Sequence, residues 1–338
     1  MTALVLRADS RTLPLPDNSV DLIITSPPYF GLRSYTDGGE HYAGQVGAEA
    51  TPTEFLDSLI NCTREWMRVL KPSGSLWVNL GDKYVNGSAS GGNKGNIQAA
   101  KYDDHKSIPG RVPDGFRVKS LMGLPWRYAL RCVDELGLIL RAEVIWSKPN
   151  GLPESVIDRV RRSHEQWFHF TLQPRYFSAV DEVREPHATP GVGGPRRIEG
   201  AAFGSSKTAT ADGSRHLDGN PLGKLPGSVW TVPTQPLKVP DKLGVDHFAA
   251  FPMEWPRRII LGWSPPCGVV LDPFGGTGTT ALVASCLGRM GLSVDLSHDY
   301  GRLAQWRTSD PGQRAAAMQV EKPAEQIAGQ ADLFGGAA

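Results

Sequence analysis

The stretch Asp272–Thr280, DPFGGTGTT, decides the fold class, since it follows the aliphatic run GVVL and precedes a helical pattern over Thr279–Leu287. In a strand–loop–helix context, glycines let the backbone approach a ligand, and the helix N-terminus presents unpaired N–H groups. The stretch therefore predicts the cofactor-binding turn of an α/β domain. Gly276-x-Gly278-x-x-Ala281 fits the dinucleotide fingerprint, with Asp295 at the distance of a ribose-binding acid. A P-loop is excluded because no lysine follows the glycines.

A second stretch, Thr25-Ser26-Pro27-Pro28-Tyr29, ends the aliphatic run VDLIIT. Ligands of open α/β sheets bind at the carboxyl ends of the strands. Two consecutive prolines keep the chain extended and remove two N–H donors, which leaves carbonyl acceptors. A hydroxyl, a bare carbonyl and an aromatic ring together suit a flat base that carries an exocyclic amino group.

Strands and helices alternate along most of the chain, which predicts an α/β domain with a mostly parallel sheet. The first helix is predicted by the Thr51 cap, Pro52 and Glu54. The remaining helices are predicted at Pro125–Leu136, Met253–Trp263 and Thr279–Leu287. Strands are predicted at Ala3–Arg7, Val20–Thr25, Ser75–Leu80, Leu138–Trp146, His164–Leu172, Gly268–Leu271 and in a segment ending at Asp295.

Composition narrows the function classes. The net charge is +1, so a nucleic-acid partner must be sought in local basic patches. No apolar run reaches 18 residues, and the N-terminus has no signal-peptide pattern, so we expect neither a membrane span nor secretion. The four cysteines are too far apart for a CxxC site and the eight histidines form no ligand pattern, so we expect no metal.

Together, TSPPY and DPFGGTGTT resemble the S-adenosylmethionine-dependent DNA amino-methyltransferases, in the permuted, beta-class order. The segments LKPSG, EVIWSKPN, SHEQWFHF and DHFAAFP also match that family. The resemblance implies a Rossmann-like, seven-stranded methyltransferase sheet with circularly permuted motif order and an inserted target-recognition region. We expect a catalytic part at 1–180, the recognition insertion at 181–242 and a cofactor-binding part at 243–308. Composition predicts a mobile loop at 81–115, which is rich in Gly, Ser, Asn, Lys and Asp, and a disordered tail at 309–338, which is rich in Ala, Gln, Gly and Glu.

The resemblance also implies roles for single residues. Ser26 and Pro27 would hold the target amino group, and Pro28 and Tyr29 would complete the site, with Tyr29 stacking on the base. The cofactor is S-adenosylmethionine, the product S-adenosylhomocysteine, and no metal takes part. The residues predicted to bind the cofactor are Asp9, Asp272, Pro273, Phe274, Gly275, Gly276, Gly278, Thr279 and Asp295.

The expected reaction is direct methyl transfer to the 4-amino group of a flipped cytosine in double-stranded DNA. Cytosine is preferred because a serine opens the SPPY motif, and adenine N6 is the alternative. An NAD-dependent dehydrogenase and a catalytically inactive DNA-binding relative are more distant alternatives. The pair His164-Glu165 is interpreted as structural or base-positioning rather than as a catalytic dyad.

Local basic patches favour a DNA partner. From Lys94 to Arg131, eight basic and three acidic residues give a net charge of +5. The residues predicted to contact DNA are Lys94, Lys101, Lys106, Arg111, Arg184, Arg196 and Arg197.

The C-terminal segment Gln330-Ala331-Asp332-Leu333-Phe334 resembles the Gln-x-x-Leu-Phe peptide that bacterial replication proteins insert into the sliding clamp. The clamp and a companion restriction enzyme are therefore candidate partners beside DNA. The expected location is the cytoplasm, next to the nucleoid.

Overall fold

The computed structural model describes residues 2–31, 36–37, 40–41, 44–85, 112–151, 153–187, 220, 222–245 and 250–319. Two short 3-10 helices lie at Val180–Val183 and Asp241–Leu243. The strands are β1 (Ala3–Arg7), β2 (Val20–Thr25), β3 (Thr36–Asp37), β4 (Glu40–His41), β5 (Leu70–Leu80), β6 (Ile139–Ser147), β7 (His164–Thr171), β8 (Val229–Thr231), β9 (Val269–Asp272) and β10 (Met290–Asp295). The helices are α1 (Pro52–Val69), α2 (Leu124–Asp134), α3 (Glu254–Trp263), α4 (Thr279–Cys286), α5 (His298–Ser309) and α6 (Pro311–Met318).

Eight strands form one sheet in the order β1-β10-β9-β2-β5-β7-β6-β8, and β3 pairs with β4 in a separate hairpin. Strands β1, β10, β9, β2 and β5 run parallel to one another, whereas β7 runs antiparallel to both β5 and β6. The C-terminal strands β9 and β10 are inserted between β1 and β2. The permuted order of the motifs therefore leaves a continuous sheet, because the site requires neighbours in space and not in sequence.

Helix α1 begins as the sequence predicts. Thr51 is extended, its hydroxyl accepts from Glu54 N at 3.2 Å, and Glu54 accepts from Thr51 N at 3.0 Å, which confirms the capping box. The helix ends at Val69 and β5 starts at Leu70, earlier than the predicted Ser75. The residues between Leu70 and Ser75 form a bulge against β2, since Val20 pairs with Leu70 and Leu22 with Ser75.

The sheet separates two hydrophobic clusters. Ile23 of β2 faces a cluster that includes Phe55, Leu59 and Trp66 of α1. Its neighbours Leu22 and Ile24 face the other cluster, in which six tryptophans pack beside α3 and α4. These tryptophans are Trp77, Trp146, Trp167, Trp230, Trp255 and Trp263. The strongly apolar β2 is thus buried on both faces, as expected for a central strand of a parallel sheet.

Two parts of the sequence prediction are corrected. The expected tail from residue 309 begins with a helix instead, because Asp310 caps α6 with Pro311 at its first position, and Ala315 and Ala317 are buried. The expected insertion at 181–242 contributes β8, which pairs with β6 as an eighth strand of the main sheet. Most of the predicted mobile loop 81–115 and residues 320–338 lie outside the described residues.

Candidate active site

The cleft that contains both sequence motifs lies where the strand connections change direction. The chain runs from β9 through α4 to β10 on one side, and from β2 through α1 to β5 on the other. Strands β9 and β2 are neighbours, with Leu271 paired to Ile23. Asp272 and Ser26 follow these paired residues closely at the carboxyl edge. Ligands of open α/β sheets bind at such a switch point.

The three glycines of the β9–α4 loop meet different surroundings. A Cβ on Gly275 would lie 2.0 Å from Ser293 Oγ in β10, and one on Gly278 would lie 2.8 Å from Ala304 Cβ in α5. A Cβ on Gly276 would meet no atom nearer than 3.9 Å, and Gly276 lines the cleft with φ at +47°. Gly275 and Gly278 therefore let the loop pack on the protein, whereas Gly276 leaves room for a ligand.

Asp272 holds this loop from below. Its carboxylate accepts from Phe274 N at 3.2 Å and from the Thr280 hydroxyl at 2.9 Å. The side chain is buried and does not line the cleft. Burial raises the pKa of the Asp272 carboxyl to about 7, against the lowering effect of its hydrogen bonds. This geometry gives Asp272 a loop-positioning role.

Beneath the loop lies Arg307 of α5, a buried arginine that has no carboxylate within salt-bridge distance among the described residues. Its guanidinium donates to the hydroxyls of Thr277 at 2.7 Å and Thr279 at 2.6 Å, and to Gln313 Oε1 at 3.2 Å. Burial lowers the pKa of Arg307 to about 10. Thr279, predicted to bind the cofactor, thus faces Arg307, while Thr277, which the sequence analysis missed, lines the cleft.

Two aspartates stand at the polar side of the cleft. Asp295 accepts from Gly276 N and from Ser297 N, each at 2.9 Å, which fixes its carboxylate at the end of β10. Asp9 forms a bidentate ion pair with Arg11, with distances of 2.7 to 3.1 Å, and this hydrogen bonding lowers the pKa of Asp9. Both line the cleft.

The space in the cleft is about 810 Å³, including the part open to solvent. Phe274 contributes an apolar wall and also contacts the buried Trp66 edge-on, with ring centroids 6.0 Å apart. Five segments line the cleft: Ala8, Asp9, Ser10 and Arg11; Ser26 and Pro28; Gly44, Gln45 and Val46; Pro273, Phe274, Gly276 and Thr277; and Asp295, Leu296 and Tyr300. Fixed carboxylates beside an apolar wall, with a glycine facing the space, fit an adenosine-containing ligand.

The Ser26–Tyr29 stretch is held by a polar network. Asn79 of β5 is buried, and its Oδ1 accepts from Ser26 Oγ at 3.2 Å and from Tyr29 Oη at 2.8 Å. Tyr29 Oη also lies 2.9 Å from Glu165 Oε2, and Lys148 Nζ contacts the other oxygen of Glu165. A Cβ on Gly81 would lie 2.5 Å from the Tyr29 ring, so the ring lies directly on that backbone.

The network connects residues that sequence spacing alone does not join. Glu165 and Lys148 stood in the segments SHEQWFHF and EVIWSKPN, but their contact depends on the antiparallel pairing of β6 with β7. Gln45 and Val46 reach the cleft through a loop after SPPY that has no sequence pattern of its own.

Of the residues predicted to contact DNA, only Arg184 is described. Its guanidinium donates to Asp181 Oδ1 at 2.5 Å and to Gly223 O at 2.9 Å, and its side chain is only 15% exposed. These contacts give Arg184 a structural role between the first 3-10 helix and residues 222–224. Outside the described residues lie Lys94, Lys101, Lys106, Arg111, Arg196 and Arg197, as well as residues 246–249 of DHFAAFP.

Within the described ranges, no group of three or more His, Cys, Asp or Glu side chains is arranged to hold a metal ion. None of the helices in those ranges has the length and apolar character needed to cross a membrane.

This chain is similar in sequence to known DNA methylases. The profile of a DNA methylase family, the N6/N4 methyltransferases, matches residues 20–305. Type II methyltransferase M.SmaI of Serratia marcescens is 33% identical over 287 residues, covering 85% of this chain and 83% of that protein. Type II methyltransferase M.XycI of Xanthomonas campestris pv. cyanopsidis is 35% identical over 308 residues, covering 90% of this chain and 86% of that protein.

Two solved structures share the fold. The cytosine-N4-specific PvuII DNA methyltransferase superposes with a TM-score of 0.61 at 20% identity, over 95% of this chain and 94% of that chain. A Thermus thermophilus protein assigned as a DNA modification methylase was solved with S-adenosyl-L-methionine. It superposes with a TM-score of 0.50 at 22% identity, over 94% of this chain and 96% of that chain. The profile match and the curated relatives exclude the dehydrogenase alternative. The chain therefore belongs to the S-adenosylmethionine-dependent N4/N6 DNA methyltransferases.

Proposed function

We propose that this chain is a Type II DNA methyltransferase that transfers the methyl group of S-adenosylmethionine to the 4-amino group of a cytosine in duplex DNA. The single observation that carries the proposal is the shared cleft. Gly276 of the glycine-rich loop and Ser26 of the SPPY stretch line the same space. A methyl donor on one side and an amino acceptor on the other would meet there.

The cofactor assignment rests on the walls of this cleft. Asp295 would accept from the ribose hydroxyls, because its carboxylate is already fixed by two backbone N–H groups. Asp9 would accept from the adenine amino group at the rim, and Phe274 would pack on the adenine ring. Gly276 would let the cofactor approach the loop, while Asp272, Gly275, Gly278 and Thr279 would hold the loop in shape. The cofactor supplies an activated methyl group on a sulfonium, so the protein mainly has to align it with the acceptor.

The base assignment rests on the orientation of Ser26. Its hydroxyl can donate to Asn79 Oδ1 at 3.2 Å or to Tyr29 Oη at 3.5 Å, and in either case the oxygen lone pairs can accept from an amino N–H. The Pro27 carbonyl would accept the second hydrogen. With both hydrogens held, the nitrogen lone pair is drawn out of conjugation with the ring. Tyr29 would stack on the base, which has to leave the duplex to enter the site.

Cytosine is preferred to adenine for two reasons. Serine opens the SPPY motif, and the PvuII enzyme of similar fold is cytosine-N4-specific. The geometry of one hydroxyl and one carbonyl would serve either amino group, so the base has to be identified chemically.

Exposed basic residues also stand at the carboxyl edge of the sheet. Lys119 follows β5 with its side chain 78% exposed, and Arg161 is exposed in the connection between β6 and β7. We add both to the DNA-contacting residues proposed from the sequence, because phosphate contacts supply most of the non-specific affinity for DNA.

Mass analysis of nucleosides tests the proposal. Unmethylated genomic DNA treated with the protein and S-adenosylmethionine is expected to contain N4-methylcytosine, and methylation-aware sequencing then gives the recognition site. Detection of 6-methyladenine alone would move the assignment to adenine. The absence of any methylated base, with cofactor binding retained, would support the inactive DNA-binding alternative.

A further inference from the structure

A carboxylate lies behind the residues proposed to hold the target amino group. Glu165, the second residue of β7, is 17% exposed and reaches Tyr29 Oη at 2.9 Å through Oε2. Tyr29 Oη in turn lies 3.5 Å from Ser26 Oγ. Ser26, Tyr29 and Glu165 therefore form a continuous line of oxygen atoms from the cleft into the protein.

Asn79 lies beside this line, and its Oδ1 is within hydrogen-bond distance of both hydroxyl groups. Its Nδ2 donates to Gln166 O at 3.0 Å, which turns Oδ1 towards Ser26 and Tyr29. An amide oxygen accepts hydrogen bonds but does not take up a proton at ordinary pH. Each hydroxyl has one hydrogen, so Ser26 and Tyr29 can donate either to Asn79 or along the line to Tyr29 Oη and Glu165 Oε2, and proton transfer uses the second arrangement. Glu165 is the group in this network that can accept a proton.

The reaction leaves one proton in excess. As the amino nitrogen gains the N–CH3 bond and the S–CH3 bond breaks, the sulfonium becomes a neutral thioether and the nitrogen becomes positively charged. The nitrogen must then lose one proton to give the neutral methylated base. In a cleft closed by DNA, a protein group within hydrogen-bond reach is a better acceptor than bulk water.

We propose that Glu165 is the final acceptor of this proton, which reaches it through Ser26 and Tyr29. This proposal rests on the proposed function. The proton on the amino nitrogen passes to Ser26 Oγ as the Ser26 hydrogen passes to Tyr29 Oη and the Tyr29 hydrogen passes to Glu165 Oε2. Ser26 and Tyr29 end unchanged, and Glu165 ends as a neutral acid that later releases the proton to solvent. Glu165 acts through Tyr29 and is therefore a positioning and proton-accepting residue.

A lysine ammonium and a tyrosine hydroxyl face the two oxygens of Glu165. Lys148 Nζ, at the end of β6, contacts Glu165 Oε1, and Tyr29 donates from the segment after β2. On β7 itself, His164 precedes Glu165 and its side chain is exposed. Arg162, just before β7, contacts Asp82 at 3.5 Å, and Glu143 of β6 accepts from Trp126.

The decisive variant is Glu165→Gln, because a glutamine oxygen still accepts from Tyr29 but takes no proton. Single-turnover methylation of a duplex that contains the identified site is expected to slow by about 10²-fold. The affinity for S-adenosylmethionine and the melting temperature should stay unchanged. The pH profile of the transfer rate should also differ between wild type and the variant, because the variant has no carboxyl group at this position.

Two further variants separate proton transfer from mere support of Tyr29. Glu135→Gln makes the same change at an exposed glutamate after α2, which pairs with Arg131 and does not line the cleft, and it is expected to keep the wild-type rate and pH profile. Tyr29→Phe interrupts the line of oxygens and should slow transfer as much as Glu165→Gln, with no further loss in the double variant, since residues that act as one unit are not additive.

The outcomes are distinguishable. If Glu165→Gln keeps the wild-type rate and pH profile while wild-type protein methylates DNA, the proton pathway is overturned and the proposed function stands. A wild-type protein that methylates no DNA would overturn both.

Discussion

At the scale of single residues, the site combines ionisable groups with opposite environments. Asp9 is paired with Arg11 at the rim, and this pairing lowers its pKa. Asp272 accepts hydrogen bonds below the loop without a cation, and burial raises its pKa to about 7. Asp9 therefore stabilises the folded state when it is ionised, whereas Asp272 stabilises the folded state when it is protonated.

Asp272→Asn is therefore expected to stabilise the cofactor-free protein at alkaline pH. The folded pKa of about 7 lies above the ordinary value of 3.8, so the free energy of unfolding falls as pH rises from about 4 to about 7 and then levels off. The Asp272→Asn variant has no such dependence on pH. Above pH 7, the melting temperature of the variant should exceed that of wild type by roughly 2–4 °C, which corresponds to about 1 kcal/mol. Near pH 4 the two should converge.

Asp9→Asn is the matched control, since it should change stability in the opposite direction, with a small loss above pH 4 that disappears at lower pH. Thermal unfolding between about pH 2.5 and 9 measures both variants. Parallel curves for wild type and Asp272→Asn would contradict the raised pKa. The affinity of Asp272→Asn for S-adenosylmethionine separately tests the cofactor-binding role that the family resemblance implies for Asp272.

At the scale of elements, the β9–α4 loop shows how one glycine-rich sequence serves two purposes. The loop is fixed by Gly275 N donating to Val294 O at 2.8 Å and by the buried Arg307 beneath its threonines. Gly276 alone of its three glycines would place a Cβ in open space. Binding and folding should therefore respond differently to substitutions two residues apart.

Gly276→Asn is expected to weaken S-adenosylmethionine binding by more than about 10-fold with little change in melting temperature. Asparagine is among the residues that tolerate positive φ, so the main effect is a side chain in the cleft. Gly278→Asn, also at positive φ, is expected to lose about 1–3 kcal/mol of stability because its Cβ meets Ala304 at 2.8 Å. Calorimetric titration and thermal unfolding measure the two effects. Unchanged cofactor affinity in Gly276→Asn would place the binding site elsewhere.

Element boundaries followed from the sequence wherever local chemistry defines them. Helix α1 has its capping box, and Gly137 follows the predicted end of α2 at φ +68°. Helices α5 and α6, the β3–β4 hairpin and strand β8 were not predicted from the sequence. The pattern Asp310-Pro311 marks a helix start, but the Ala- and Gln-rich composition around it suggested disorder. Strand β8 has three residues, too few for a periodic pattern, and exists through its pairing with β6.

At the scale of the whole molecule, residues from both ends of the chain build one cleft. Asp9 comes from the first strand region and Asp295 from the last strand, and β1 pairs with β10 so that Arg7 lies beside Asp295. The described chain continues only to residue 319, eleven residues before the predicted clamp-binding peptide.

Deletion of Gln330–Phe334 is expected to leave methylation of short duplexes unchanged and to remove binding to the bacterial sliding clamp. The described cleft contains no residue beyond Tyr300, so the deletion leaves the catalytic machinery intact. Binding of full-length and truncated protein to immobilised clamp measures the effect, with duplex methylation as the control. No binding of the full-length protein at micromolar clamp would contradict the prediction.

By itself, the sequence determined the fold class, the family and the two motifs that meet in the cleft. These depend on local patterns: an aliphatic run that must be buried, glycines before a helix, and two prolines that extend the chain. Tertiary structure alone decided which glycine faces the ligand, that Asp272 lies below the loop, and that Glu165 reaches Tyr29. Those facts depend on strand register and helix packing between residues far apart in sequence. A contact such as Glu165–Tyr29, 136 residues apart, exists because β5 brings β2 and β7 together.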